Sequence, residues 1–132
     1  MYIVNIQDGV SIVELFVTRR DDATNERLRD LINQVLKEYA IENYINWYYT
    51  PMALQFTDHL NPEKIIYDSM DELSAFRFAP PQLLELEDQL FRKADVVFTG
   101  GNSLYQAKKN RHQNIHATVS YTHLTLPTNR EV

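Results

Sequence analysis

The chain has 132 residues, 44% hydrophobic and 23% charged, which is enough for one globular domain with a real core. A formal net charge of −5 excludes the generally basic surface that holds nucleic acid or anionic lipid non-specifically, and the absence of cysteine excludes disulfides and thiolate metal sites. No apolar run is long enough to span a bilayer, and MYIVNIQDGV lacks the basic region and long apolar stretch of a signal peptide.

Residues 2–6 alternate like a strand, Asp8-Gly9 is a strong hairpin-turn signal, and residues 10–18 form a second β-rich run. These two either pair as a hairpin or leave the first as an edge strand. A polar connector leads to the clearest helix, residues 24–39, where Leu28, Leu31, Ile32, Val35, Leu36 and Tyr39 recur at helical spacing behind Thr24 as the expected N-cap. Residues 45–49 form an aromatic-rich strand ending at Thr50-Pro51. A short helix is expected from Met52 to Leu60, because Pro51 suits a first helical turn and Asn61-Pro62 ends it.

The segment from Lys64 to Ser103 organises the rest. Ile65, Ile66 and Tyr67 make a short apolar strand that runs into the acidic sequence YDSMDE. Pro80 and Pro81 open a helix with Leu83, Leu84, Leu86, Leu90 and Phe91 as apolar positions, closed at Ala94. Val96, Val97 and Phe98 form a second apolar strand ending at Thr99-Gly100-Gly101. Two short strands around one amphipathic helix make a βαβ unit, whose sheet is parallel and whose crossover is right-handed. Asn102 or Ser103 is expected to cap a last helix with Leu104, Tyr105 and Ala107 inward, before a final short strand at residues 114–117. Alternation of helices and strands from Thr24 onward gives an α/β class with a largely parallel sheet.

In open α/β sheets, ligands bind beyond the carboxyl ends of the strands. Three groups of residues fall there. Asp68, Asp71 and Glu72 follow the 65–67 strand; such carboxylates take a proton from a hydroxyl, grip sugar hydroxyls or hold a magnesium ion, or else form a solvated, helix-capping loop. Gly100, Gly101 and Ser103 sit in a strand-to-helix turn that either lets backbone N–H groups approach a ligand or is simply a tight turn. It is neither a Walker loop nor a dinucleotide-binding glycine pattern. Thr50 ends the aromatic strand. His112 and His116 have a metal-like spacing, but the strand expected there and the lack of a third ligand argue against zinc. Lys108, Lys109, Arg111 and His112 read as a solvated basic helix end.

WYYTPMAL, YDSMDELSAF, APPQLLELEDQLFRKADVVFTGGNSLYQAKK and HQNIHA, in this order, resemble the N-terminal domain of bacterial GT-B-fold glycosyltransferases of exopolysaccharide and cell-wall synthesis, similar to glycosyltransferase family 4. The likeness spans residues 45–117 well and the earlier part loosely. It implies a Rossmann-like three-layer sandwich over residues 1–117, an incomplete half of a GT-B fold. It also implies a parent enzyme that transfers a sugar from a nucleotide-sugar donor, without a metal, to a glycan or lipid-linked acceptor. In that family the N-terminal domain holds the acceptor and a C-terminal domain, missing here, holds the donor. Carried over by position, Asp68, Asp71, Glu72, Thr50, Gly100, Gly101 and Ser103 line the acceptor cleft, and no catalytic base is named. The resemblance further implies a cytoplasmic protein whose parent works at the inner membrane face. The competing class is a non-catalytic α/β binding module, for example a receiver-like domain. From Val119 the sequence VSYTHLTLPT resembles a translated sequencing-library adapter, so residues 118–132 are expected to be a non-native tail.

Overall fold

The computed structural model describes residues 1–18, 20–70 and 81–118. The expected adapter-like tail from Val119, together with Asp71 and Glu72, lies outside them. The chain divides into two compact units, Met1–Asn43 with Gln55–Asn61, and Tyr44–Leu54 with the chain from Pro62.

The first unit begins with an antiparallel hairpin of β1 (Tyr2–Gln7) and β2 (Val10–Leu15), in the register Tyr2↔Leu15 to Gln7↔Val10. Asp8 and Gly9 both have positive φ, 53° and 78°, the left-handed pair that a two-residue hairpin turn requires. Helix α1 (Thr24–Glu38) turns Val35 inward, with Leu28, Leu31, Ile32 and Leu36 half-buried along the same stripe. Two expectations at its ends are corrected. Thr24 is the first helical residue rather than its cap: its Oγ1 accepts the Asp21 N–H at 2.8 Å, and Asp21 Oδ1 accepts the Ala23 N–H at 2.9 Å. Tyr39 is not on the buried stripe but exposed at the C-cap, because the chain leaves the helix there. Ala40 follows with φ 51°; its N–H bonds Lys37 O while the Ile41 N–H bonds Leu36 O, which closes the helix with a Schellman motif. Residues 55–61 are tied to α1 by an Arg29–Asp58 ion pair at 2.9 Å and a His59–Asn33 hydrogen bond at 2.7 Å.

The second unit is a four-stranded, all-parallel sheet in the order β3 (Ile45–Tyr48), β4 (Lys64–Ser69), β5 (Val96–Thr99), β6 (Ile115–Ala117), with helices α3 (Pro81–Lys93) and α4 (Asn102–Lys108). It is an α/β, Rossmann-like partial fold, and the expected parallel pairing of the 65–67 and 96–98 segments is present, with Ile66 opposite Val96. Alternation along the strands puts Tyr48, Tyr67 and Val97 on one face, where they meet Leu86, Leu90, Phe91 and Ala94 of the α3 stripe and Leu54 to form the core. Asp95 pins the start of the sheet, since its Oδ2 accepts the Ile65 N–H at 2.9 Å and its own N–H donates to Ile65 O at 2.8 Å.

The helix expected over 52–60 is shorter. A 3-10 turn (Pro51–Ala53) leads into α2 (Leu54–Thr57), and Asp58 and His59 spend their side chains on Arg29 and Asn33 instead. So short a segment gains too few backbone bonds to offset helix nucleation without packing. At α4 the N-cap is Gly101, and neither Asn102 nor Ser103 supplies a side-chain cap bond; Ala107 is exposed. Among the described residues no helix is long and apolar enough to cross a membrane.

Candidate functional site

All four parallel strands end on the same rim, which is where the described candidates collect. Thr50 follows β3 and caps the 3-10 turn, its Oγ1 accepting the Met52 N–H at 3.3 Å. Gly100 follows β5 and donates its N–H to Ser69 O at 2.9 Å, joining the ends of β4 and β5. A Cβ at Gly100 would stand 3.4 Å from both Cα and O of Met70, so a side chain there would just touch the chain leaving β4. Gly101 is different: its backbone is extended, at φ 161°, and a Cβ there would meet nothing within 4 Å. Ser103 is exposed in the first turn of α4.

Asp68 stands one residue before the end of β4, opposite Phe98 in register, and on the sheet face away from Tyr67 and Ser69. Its Oδ1 is buried with no hydrogen-bond partner among the described residues, a costly state for a carboxylate oxygen. Asp68 therefore shares the rim with Gly100 but points to the other side of the sheet from the α4 turn.

Beneath the rim lies a polar cluster that the sequence reading leaves out. Lys108, expected in a solvated basic cluster, is instead fully buried. Its ammonium donates to Glu87 Oε2 at 2.9 Å and to Ser69 Oγ at 2.9 Å. Glu87, equally buried, also accepts the Tyr67 hydroxyl at 2.6 Å and Arg111 at 3.0 Å. Arg111 continues to Asp88 and lies 4.2 Å from the centre of the Phe91 ring. Burial alone would raise the Glu87 pKa, but the hydrogen bonds from Tyr67 and Lys108, with the Lys108 charge and Arg111, hold it below the ordinary glutamate range. Burial first, and then Glu87, push the Tyr67 phenol above its usual value. Its centre, Tyr67, Ser69, Glu87 and Lys108, is buried, while Arg111 and Asp88 reach solvent at its edge; the buried bonds bind α3, α4 and the end of β4 together.

The histidines are engaged separately. His112 Nδ1 accepts the Asn114 N–H, which leaves Nε2 as the donor to Ala94 O at 2.7 Å, while His116 bonds the Asn114 side chain. Among the described residues no group of three or more His, Asp or Glu is placed to hold a metal ion.

No family model, curated protein or solved structure matches this chain.

Proposed function

We propose that this chain is the acceptor-side half of a nucleotide-sugar-dependent glycosyltransferase, and that it is inactive alone. The observation that carries this is the coincidence of motif and topology: WYYTP, YDSMDE and VFTGGNSLY each straddle the carboxyl end of a parallel strand, on one rim. In this reading Asp68 and Asp71 receive acceptor hydroxyls, Thr50 and the Gly100-Gly101-Ser103 turn border the cleft, and a second domain beyond these 132 residues brings the donor. The acceptor is a glycan or lipid-linked glycan, and the parent acts at a cytoplasmic membrane face. A receiver-like module is less well supported, since such a module needs a lysine near a strand-end aspartate, whereas Lys108 is committed to Glu87 and Ser69.

Transfer depends on holding donor and acceptor against each other, because positioning supplies much of the rate. The isolated chain is expected to transfer no sugar from any nucleotide-sugar. In the full-length parent, Asp68→Ala or Asp71→Ala should abolish acceptor turnover while donor affinity, measured by calorimetry, stays unchanged. Wild-type turnover in both variants, or transfer by the chain alone, would refute the proposal.

A further inference from the structure

The four-stranded sheet has a second face. Tyr67, Val97 and Tyr48 point to the helices, so the alternate positions point the other way, and Trp47, Ile66 and Val96 form one row across three strands in register. Phe98 stands beside this row, stacked on Trp47 with ring centroids 5.8 Å apart. No helix of the same unit packs on this face among the described residues, and Trp47 is 49% exposed, with Ile45 beside it at 55%. Ile66, Val96 and Phe98 are half-buried; since parallel strands are ordinarily buried on both faces, the exposed Trp47 and Ile45 mark the part of this face that a partner would cover.

The polar residues on the face say what would finish it. Along β4, Lys64 precedes Ile66 by two residues and Asp68 follows it by two, so the three share the face, with the Cα atoms of Lys64 and Asp68 about 13 Å apart. Consider a two-fold axis lying in the interface and crossing the strands at the level of Ile66. It sets β4 antiparallel on the β4 of a second copy, Ile66 on Ile66 and Trp47 on Trp47, and it brings each Lys64 over the other copy's Asp68. The face is thus complementary to itself in both shape and charge, which is what an isologous contact requires.

We propose that this face docks a second copy of the chain, sheet on sheet, with two symmetric Lys64–Asp68 pairs flanking the Trp47–Ile66–Val96 row. Four strands span about 19 Å, so the contact lies at the small end of protein interfaces and the dimer is weak and concentration-dependent. The inference does not rest on the transferase proposal. Asp68 enters both, and dimerisation and acceptor binding would compete there.

The test is sedimentation equilibrium of the whole chain from about 1 to 500 μM, a range chosen for an association in the micromolar class. A reversible monomer–dimer equilibrium is expected. Asp68→Lys should weaken it at least ~10-fold by setting like charges face to face, and the swapped double variant Lys64→Asp with Asp68→Lys should restore it to within about threefold. Far-UV circular dichroism confirms that each variant is folded, and the double variant keeps the test valid if the single one is not. A monomer over the whole range would overturn the proposal, and with Trp47 shielded from iodide it would mean the face is covered from within its own chain. A dimer that neither variant perturbs would overturn it equally.

Discussion

Glu87 and Lys108 are opposite charges placed inside two apolar stripes. Glu87 is four residues from both Leu83 and Phe91, and Lys108 is four from Leu104, so helical periodicity alone turns both inward. That signal was legible in the sequence as two charges of opposite sign, each at a core position. What it lacked was the tertiary fact that α3 and α4 lie on the same sheet face. Removing one member leaves a buried charge without its partner. Lys108→Met should therefore cost on the order of 3–5 kcal/mol, nearer the lower figure because Arg111 still reaches Glu87, while Lys108→Met with Glu87→Leu should recover most of it. Urea denaturation followed by circular dichroism measures both. The pKa directions set a pH window as well. The lowered Glu87 value contributes stability that is fully present above the ordinary glutamate range and is lost progressively as pH falls below that range and through the lowered folded value. The raised Tyr67 value stabilises the fold below about pH 10 and is lost above it. Midpoints measured from pH 2 to 11 should show both limbs, and Glu87→Gln should flatten the acid one.

At the scale of elements, order and type follow from local rules, while the ends follow from contacts. The hairpin is readable because Asp8-Gly9 suits a turn with two positive φ values, and α1 and α3 are readable from their stripes. The caps were not readable: Thr24 bonds backward to Asp21, Thr50 forward to Met52, and Gly101 supplies no side chain at all. The candidate rim was legible to the same degree. Strand ends gave Thr50, Asp68 and Gly100, but the side of the sheet on which Asp68 emerges depends on the register of β4, which one residue of slip would reverse. The end of α1 offers a direct test. Ala40 occupies the left-handed position of the Schellman motif, where a Cβ is strained and glycine is not. Ala40→Gly should stabilise the chain by about 0.5–1 kcal/mol, the relief of strain exceeding the added freedom of the unfolded state. A lower urea midpoint would mean that the neighbouring contacts, and not the backbone, set this position.

For the whole molecule, the two units differ in what holds them. The second has a contiguous core of Tyr48, Leu54, Tyr67, Leu86, Leu90, Phe91, Ala94 and Val97, reinforced by the buried Glu87–Lys108 pair. The first has Val35 as its buried hydrophobic residue among those described, and a two-stranded hairpin is at best marginal without further packing. Its ties are exposed ion pairs such as Arg27–Asp21 and Arg29–Asp58, each worth little. Free energy of opening follows buried apolar contact, so the units should open separately. Native-state hydrogen exchange measures this amide by amide. The amides of Tyr67, Leu90 and Val97 should exchange only through global unfolding of the second unit. Those of Asn5 and Ile12, although a hydrogen-bonded pair across the hairpin, should exchange at least ~100-fold faster, corresponding to an opening free energy lower by about 2.7 kcal/mol. Lys108→Met should then lower protection throughout β4, β5 and α3 and leave the hairpin amides unchanged. Uniform protection across both units, falling together in that variant, would show a single cooperative fold in place of two.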